Sequence, residues 1–473
     1  MSFCKSVYET ACEPVRKMLE AAEKYPERTA YIYGEQSITF RQLKNGAISV
    51  AAQIGDDFSP VVIYGHKSPL YIISVFACLI CGRTYIPCDV SCPSERLADI
   101  IRLSGASLML LTETDNSSVD IPIIGKSRLA EISAGETELV LRENKNKTAY
   151  IIFTSGSTGK PKGIPVSIDS LEGFIDYGTD ILPSAGIFAG HALFSFDLSV
   201  ADIFLSITRG CTFMAIDEPI QGDYSILICT PTFLRFCLCG TAFCRENQPK
   251  LEAVLCCGEV LPAATAKMLL KRFDGIRLIN AYGPAECCCF VCASDIKPAD
   301  TDNQLPVGDM DRTACNIEIR NREIFISGRS AGTHYLGGYK GGFRDDGFYT
   351  GDGGIIKNGR LYFTGRLDST MIKYSGFRIE LGEIEHHMSM IDGIDSCICT
   401  ADTDEHGQAR IIRAFAVTEL SVSEIKKQLE SKLPHYMIPR IITKVNSLPV
   451  SVNGKCDRNM LKEQKGSGID EQL

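Results

Sequence analysis

Short runs of β-branched and other apolar residues alternate with stretches of helical periodicity over residues 1–366. Between the apolar runs lie patterns such as LPAATAKMLLKRF from Leu261, whose apolar residues recur at helical spacing. Alternation of this kind restricts the chain to layered α/β folds with parallel or mixed sheets. The predicted strands include PVVIYG at 60–65, SLMLLT at 107–112, AYIIFT at 149–154, CTFMAI at 211–216 and SILICT at 225–230.

The fold class expected is therefore α/β, with two domains. The chain has 473 residues, 45% of them apolar, which is enough for a large core and more than one domain. Residues 1–366 form a large N-terminal domain of layered α/β subdomains, and within it residues 317–364 change to short strands with glycine turns, a small β-rich subdomain. Residues 367–473 form a small α+β C-terminal domain.

The charge of the chain argues against two classes of partner. The formal net charge is −9 and no basic run is present, so neither nucleic acid nor an anionic membrane is an expected partner. The longest apolar run, YIISVFACLICG from Tyr71, has about half the length of a membrane span and predicts a buried helix. The N-terminus carries acidic and polar residues where a signal peptide is apolar, and we expect a cytoplasmic protein.

Twenty-one cysteines raise the question of metal or disulfide chemistry. Without a secretion signal they are expected to be reduced thiols. Cys78 and Cys81 form a C-x-x-C pattern, with Cys88 and Cys92 nearby, so zinc is an alternative. Because the first pair lies inside the apolar run, we favour cysteine as a small core residue.

The stretch AYIIFTSGSTGKPKGIP at 149–165 places glycines, hydroxyls and lysines directly after a predicted strand. A P-loop requires G-x-x-x-x-G-K-[ST], but Pro161 follows Gly159-Lys160, so the hydroxyl that binds the metal is absent. Proline also removes one backbone N–H from that position. The loop therefore predicts a phosphate site of another design.

Further Gly- or Asp-centred motifs follow apolar runs, where α/β proteins gather ligand groups. They are FDLS at 196–199, NAYGPAE at 280–286, YTGDGG at 349–354, GRLD at 365–368, KYSGFRIELGEIE at 373–385 and LPVSVNGKCDR at 448–458. Together, and in this order, these motifs resemble the adenylate-forming superfamily of acyl-CoA synthetases, luciferases and amino-acid adenylation domains. The resemblance runs from ITFRQL at 38–43 through ACLICGRTYIPCDVSCPSERL at 77–97 to the lysine loop at 453–458, and so covers nearly the whole chain.

The resemblance implies ATP and Mg²⁺ as cofactors. In this family a carboxylate attacks the α-phosphorus of ATP, and the loop at 153–163 grips the phosphates that leave as pyrophosphate. Tyr282 then packs on adenine, while Asp352 and Arg366 take the ribose. The positions implied for ATP binding are Thr154, Ser155, Gly156, Ser157, Thr158, Gly159, Lys160, Lys162, Asn280, Ala281, Tyr282, Gly283, Pro284, Ala285, Asp352 and Arg366.

Two residues carry the catalytic roles that the resemblance implies. Glu286 holds Mg²⁺, and Lys455 bridges the substrate carboxylate and the α-phosphate. One departure from the family pattern is Ala285, where threonine is usual, so that one hydrogen bond to the α-phosphate is lost at a cost of about 0.5–1.5 kcal/mol.

Asp197 in FDLS indicates the substrate class, since amino-acid adenylating members pair an acid here with the α-ammonium. Within that group the chain is similar to the D-alanine–carrier protein ligases, on the matches FSFDLSVADIF at 194–204, AIDEP at 215–219, LCCGEVLP at 255–262 and LPHYMIPR at 433–440. The substrate positions implied are Asp197, Leu198, Ala201, Cys257, Ala281, Cys289 and Lys455. Ala201 replaces a usual methionine and Phe290 is bulkier than usual, so serine, glycine or L-alanine stay open as substrates.

The resemblance also implies a second half-reaction on a thiol. No carrier domain fits after Leu461, so a separate carrier protein presents phosphopantetheine. The C-terminal domain is mobile in this family, and Asp368 is the hinge. The family default is a monomer.

Three alternatives to a D-alanine ligase stay open. One is a stand-alone peptide-synthetase-type enzyme for another small amino acid, and another is a CoA ligase for a small organic acid. The third is a non-catalytic homologue that binds nucleotide, which only Ala285 favours.

Overall fold

The structure is a computed structural model. It describes residues 11–55, 57–139, 141, 147–155, 161–183, 186–218, 222–339, 341–367, 371–374, 376–403 and 409–449. The chain divides into two compact units. The first unit contains residues 1–90, 101–152 and 163–365, and the second contains residues 91–100, 153–162 and 366–473.

Helices and strands follow one another along most of the chain. The helices are α1 (Glu13–Lys24), α2 (Phe40–Gln53), α3 (Pro69–Ile80), α4 (Ser94–Ser104), α5 (Lys126–Ser133), α6 (Ile168–Ile181), α7 (Leu198–Ile207), α8 (Pro231–Cys239), α9 (Ala263–Arg272), α10 (Leu381–Ser389) and α11 (Val422–Glu430).

The strands of the first half of the chain are β1 (Thr29–Tyr33), β2 (Gln36–Thr39), β3 (Val61–Tyr64), β4 (Tyr85–Cys88), β5 (Leu108–Leu111), β6 (Ile123–Ile124), β7 (Thr148–Thr154), β8 (Lys162–Ser167), β9 (Ile187–Gly190), β10 (Thr212–Ala215) and β11 (Ile226–Cys229). Those of the second half are β12 (Ala253–Cys256), β13 (Arg277–Tyr282), β14 (Cys292–Ile296), β15 (Gly308–Asp309), β16 (Asn316–Arg320), β17 (Glu323–Ser327), β18 (Phe343–Arg344), β19 (Gly347–Lys357), β20 (Arg360–Arg366), β21 (Met371–Tyr374), β22 (Phe377–Glu380), β23 (Ile394–Thr403), β24 (Ala409–Thr418) and β25 (Ile441–Lys444).

An eight-stranded sheet in the order β14-β13-β12-β11-β9-β10-β1-β2 forms part of the first unit. Its six central strands run parallel, and the edge strands β14 and β2 are antiparallel to their neighbours. In β11, Ile226 and Ile228 pack into one hydrophobic cluster, whereas Leu227 and Cys229 pack into another. Because both faces are covered, a parallel strand of this kind is a continuous apolar run, as the sequence of β11 is.

A second sheet of the first unit has the order β6-β5-β3-β4-β7-β8, and its strands β3 to β7 pair in parallel. Helix α3 is buried at every residue from Tyr71 to Ile80, as expected for an apolar run of that length. Helix α2 begins with a capping box, in which Thr39 and Gln42 each accept a hydrogen bond from the other's backbone N–H. The loop that carries the predicted phosphate site joins β7 to β8.

The segment predicted as a small β-rich subdomain forms a separate sheet, β15-β20-β19-β17-β16, with β18 paired to β19. Asp352 lies in β19 of this sheet. The sheet covers its own hydrophobic cluster, which includes Ile324, Ile326 and Phe348 and also reaches Tyr282 at the end of β13.

The second unit has a two-stranded sheet, β21-β22, and a three-stranded sheet, β23-β24-β25, with helices α10 and α11. Residues 91–100 belong to the same unit, where Arg96 of α4 forms a buried ion pair of 2.5 Å with Glu383 of α10. Removing one partner of a buried ion pair strongly destabilises a protein, because the other charge is left buried and uncompensated. Residues 91–100 are thus joined to the C-terminal segment by a buried charge pair.

The layered α/β fold predicted from the alternating pattern is confirmed, and the five quoted strands and the two quoted helices form where the sequence predicts them. The division into domains at residue 366 and the hinge at Asp368 stay predictions, and Asp368 lies outside the described residues. None of the helices in the described ranges has both the length and the apolar character that crossing a bilayer requires.

Candidate functional site

Tyr282 and Asp352, the residues predicted to hold adenine and ribose, are hydrogen-bonded to each other in the first unit. The Tyr282 hydroxyl donates to Asp352 Oδ2 at 2.8 Å, and both side chains are buried. Burial, together with the negative charge of Asp352, raises the pKa of the Tyr282 hydroxyl well above its ordinary value. The phenol therefore stays protonated and acts as a permanent donor to the carboxylate.

The segment NAYGPAE starts in β13 and ends in a tight 3₁₀ turn, Ala285–Cys287. Asn280 is buried and donates from Nδ2 to the carbonyl of Pro306 at 2.8 Å. A Cβ on Gly283 would lie 2.4 Å from Phe290 Cα and 2.7 Å from the Cys289 carbonyl oxygen. Glycine is therefore required here by close backbone approach, which fixes the path of the neighbouring Ala281, Pro284 and Ala285.

Glu286 lies in that 3₁₀ turn and is almost completely buried. Its Oε1 accepts a hydrogen bond of 2.5 Å from the hydroxyl of Tyr335, also buried, and its backbone carbonyl accepts one of 2.8 Å from Gly332 N–H. These contacts fix the orientation of the carboxylate. Among the described residues, no cluster of three or more His, Cys, Asp or Glu side chains is placed to hold a metal ion.

Asp197 directly precedes α7, at the position of a helix N-cap. Its side chain makes no capping hydrogen bond to the helix, so capping does not account for this half-buried carboxylate. The first turn of a helix stabilises a negative charge through the helix dipole. Leu198 and Ala201, which follow it in α7, are buried.

Cys257 and Cys289, the predicted pocket walls, are brought into contact by the fold although one helix, one strand and a 3₁₀ turn separate them along the chain. Burial raises the pKa of the Cys289 thiol well above its usual range, and a hydrogen bond with Cys257 and the charge of Asp197 raise it further. The Cys289 thiol is therefore neutral, and it lies within electrostatic reach of the Asp197 carboxylate. The adjacent Cys288 meets the hydroxyl of Tyr150 at 3.4 Å.

The described ends of the phosphate loop, Thr154, Ser155 and Lys162, belong to the second unit. Thr154 Oγ1 is buried and has no hydrogen-bond partner within the described part of the chain. Ser155 Oγ donates to the backbone carbonyl of Arg378 and accepts from Glu380 N–H, both at 2.8 Å. Lys162 Nζ lies 3.4 Å from Glu380 Oε1. Strand β22 therefore contacts two side chains at the ends of the loop, the hydroxyl of Ser155 and the ammonium group of Lys162.

The remaining predicted positions are Arg366 and seven positions outside the described residues. Arg366 is the last residue of β20. Seven positions lie outside the described residues, namely Gly156, Ser157, Thr158, Gly159, Lys160, Asp368 and Lys455. The roles expected of them stay predictions.

Tyr335 and Glu380 contact predicted site residues but were not anticipated from the sequence. Tyr335 lies 49 positions from Glu286, and Glu380 lies 225 positions from Ser155. The only available indication for Glu380 was its place in KYSGFRIELGEIE, a motif that we singled out for another reason.

The chain matches the protein-family model for AMP-binding enzymes over residues 18–323. A D-alanine–D-alanyl carrier protein ligase from Bacillus cytotoxicus is 34% identical over 502 aligned positions, which cover 94% of this chain and 99% of the relative. The same name belongs to a relative from Bacillus licheniformis, 34% identical over 95% of this chain and 99% of that protein.

Solved structures share the fold at lower identity. A Vibrio cholerae adenylation domain, AlmE, in complex with glycyl-adenosine-5'-phosphate is 21% identical with a TM-score of 0.82, and the match covers 96% of this chain and 97% of that one. The chain belongs to the AMP-binding enzyme family. The predicted membership of the adenylate-forming superfamily is thereby confirmed, and the protein is an enzyme.

Proposed function

We propose that the protein is an amino acid–carrier protein ligase that activates D-alanine with ATP and then transfers it to a carrier protein. The observation that carries this proposal is the placement of Asp197 within electrostatic reach of the neutral Cys289 thiol, which is hydrogen-bonded to Cys257. The likeness to ligases named for D-alanine and its carrier protein, over 94% of this chain and 99% of the relative, supports it.

The carboxylate at Asp197 is proposed to pair with the α-ammonium of the substrate. The dipole of a helix stabilises negative charge at its N-terminus, and a cation in contact with such a carboxylate is favoured. The side chains of Cys257 and Cys289 are proposed to form the wall of the pocket that favours a small substrate side chain. An acid without an amine would not supply the cation that this carboxylate is proposed to bind, which disfavours such substrates.

Adenylation brings together two negatively charged reactants, so the chain must supply positive charge and orientation. Oxygen of the D-alanine carboxylate attacks the α-phosphorus of ATP, and the bond to the β-phosphate oxygen breaks to release pyrophosphate. Tyr282 is proposed to pack on adenine, and Asp352 to accept the ribose hydroxyls. Lys162 and the hydroxyl of Thr154 are proposed to contact the phosphates.

Mg²⁺ is proposed as the metal cofactor, held on the protein side by Glu286. Mg²⁺ takes oxygen ligands and usually binds through one or two carboxylates together with substrate phosphates, so a preformed cluster of protein ligands is not needed. A single buried carboxylate, oriented by Tyr335, fits that requirement. When bound, the ion supplies neutralisation of phosphate charge.

The second half-reaction is proposed to occur on the phosphopantetheine thiol of a separate carrier protein. The thiolate attacks the carbonyl carbon of the aminoacyl-adenylate, and AMP leaves. Lys455 in the first step and a hinge at Asp368 between the steps stay part of this proposal. A monomer in the cytoplasm is proposed as well, in keeping with the free thiols of the described cysteines.

ATP–pyrophosphate exchange measured over a panel of acids tests the proposal. We expect the highest kcat/KM with D-alanine, lower values with L-alanine, glycine and D-serine, and the lowest with propionate, which lacks the amine. Exchange that prefers propionate over every amino acid would support a CoA ligase for a small acid instead. No exchange with any acid, despite ATP binding, would indicate a non-catalytic homologue.

A further inference from the structure

The hydroxyl of Ser155 both donates a hydrogen bond to strand β22 and accepts one from it. It donates its single proton to the carbonyl of Arg378 and accepts the N–H of Glu380, both at 2.8 Å, and the side chain is almost completely buried. A serine hydroxyl has one proton to donate. In this arrangement Ser155 therefore has no proton left for a phosphate oxygen.

The positive charge of Lys162 is also engaged by the same strand. Its Nζ lies 3.4 Å from Glu380 Oε1, and the two side chains are only 14% and 8% exposed. Ion pairs buried to this extent are weakly screened by salt. The Glu380 carboxylate thus places an oxyanion at Lys162, the lysine that is proposed to contact the phosphates.

Glu380 and a polyphosphate cannot use these groups at the same time without cost. Both are oxyanions, and a carboxylate kept within 3.4 Å of the lysine would repel phosphate oxygens that approach it. The backbone contacts add to this conflict, because Ser155 can give its proton either to Arg378 or to the ligand. Two states of Ser155 and Lys162 follow, one in contact with β22 and one in contact with polyphosphate.

We propose that Glu380 is a positioning residue that competes with polyphosphate for Ser155 and Lys162. Strand β22 must leave Ser155 and Lys162 before ATP binds, and its return favours release of pyrophosphate. This inference rests on the proposed function, since it assigns the control of pyrophosphate release in that reaction to one carboxylate. A ligand that binds only the undocked state has its apparent affinity reduced by the fraction of molecules in that state.

Calorimetric titration of pyrophosphate with Mg²⁺ into the full chain measures this competition. We expect Glu380→Gln to bind pyrophosphate about tenfold more tightly than the wild type, because the carboxylate no longer holds Lys162. Glu430→Gln is the matched control, because it removes the same charge from an exposed position at the end of α11 in the same unit. The control is expected to bind like the wild type, and equal or weaker binding by Glu380→Gln would overturn the inference.

Two further measurements separate competition from a structural effect. In a Lys162→Gln background, Glu380→Gln is expected to change the affinity less than twofold, since the contested charge is absent. In the wild type, pyrophosphate is expected to speed hydrogen exchange of the Glu380 amide, which Ser155 otherwise accepts, while the Cys399 amide, bonded to Glu385 Oε1, stays unchanged. Unchanged exchange at Glu380 on saturation with pyrophosphate would contradict the inference even if the variant does not fold.

The outcome is distinguishable from that of the proposed function. If Glu380→Gln tightens pyrophosphate binding but no amino acid supports exchange, the competition stands and the proposed ligase activity fails. If D-alanine supports exchange and Glu380→Gln has no effect on pyrophosphate affinity, the ligase activity stands and the competition is wrong.

Discussion

The Tyr282 hydroxyl donates a hydrogen bond of 2.8 Å to Asp352 Oδ2, joining the end of β13 to β19 at a site where both residues are buried. A hydrogen bond to a charged acceptor contributes about 1.5–3 kcal/mol. The Tyr282 hydroxyl therefore orients the carboxylate that we propose to bind the ribose. The ring of the same residue is the part that we propose to pack on adenine.

Tyr282→Phe is expected to raise the KM for ATP about tenfold, because Asp352 loses a donor and its orientation. The ring that would contact adenine is retained in this variant. Exchange kinetics at saturating D-alanine measure the effect. Tyr71→Phe is the control, since it removes another buried hydroxyl, which donates to the Ile63 carbonyl. Equal KM values for ATP in the two variants would contradict the role of Tyr282.

Tyr335→Phe is expected to raise the Mg²⁺ concentration for half-maximal exchange about fivefold, equivalent to about 1 kcal/mol. The reason is the 2.5 Å hydrogen bond from Tyr335 that orients Glu286 Oε1. The rate is measured against Mg²⁺ at fixed ATP. Tyr31→Phe, which removes a buried donor to the Lys67 carbonyl, should leave the Mg²⁺ dependence unchanged. An unaltered Mg²⁺ requirement in Tyr335→Phe would argue against Glu286 as the metal-holding residue.

Gly283→Ala is expected to destabilise the protein by about 1–3 kcal/mol, the usual cost of forcing extra atoms into a packed site. The new Cβ would meet backbone at 2.4 Å and 2.7 Å, which cannot move aside as a side chain can. Gly240→Ala is the control, because the nearest atom to its added Cβ is 4.0 Å away. Urea unfolding compares the two variants. A similar free energy of unfolding for both would show that the close approach at 283 is relieved without cost.

The lowered pKa of His191 predicts that the free energy of unfolding depends on pH. Burial, with a contribution from the charge of Lys67, lowers the pKa of His191 from 6.5 to about 3, and its Nε2 accepts the N–H of Thr230 at 3.1 Å. Between these two pKa values the unfolded state binds more protons than the folded state, so stability falls as the pH drops below 6.5. The expected slope from this one group approaches about 1.4 kcal/mol per pH unit.

His191→Gln is expected to remove that contribution, because glutamine can still accept the Thr230 N–H but does not titrate. The free energy of unfolding measured from pH 7 to pH 5 gives the slope for each protein. His334→Gln, a change at an exposed histidine, should keep the slope of the wild type. The same slope in His191→Gln as in the wild type would rule out His191 as its source.

The alternating pattern of the sequence predicted the fold because a parallel strand that is buried on both faces is a continuous apolar run, which can be recognised in the sequence. Residues 226–229 illustrate this, since all four are apolar and point alternately into two clusters. Buried helices leave a similar trace, as in the unbroken apolar run of α3.

The hydrogen-bond partners of the predicted site residues cannot be recognised in the local sequence. Ser155 and Glu380 are joined across 225 positions, and Glu286 and Tyr335 across 49, because tertiary folding decides which polar groups meet. Gly283 was predicted as a ligand-binding position, but its requirement for glycine comes from the backbone of Cys289 and Phe290, which local sequence does not reveal. Motif order therefore predicted which residues form the site, whereas the contacts between those residues and their partners required the structure.

The most direct measurement of the central claim compares Asp197→Ala with the wild type in exchange assays that use D-alanine. We predict a loss of about a hundredfold in kcat/KM for D-alanine, since truncating one partner of a buried charge pair costs about 2–5 kcal/mol. The affinity for ATP in the same variant should stay within about twofold of the wild type, because the nucleotide contacts are intact. An unchanged kcat/KM for D-alanine in Asp197→Ala would contradict the claim that this carboxylate binds the amine.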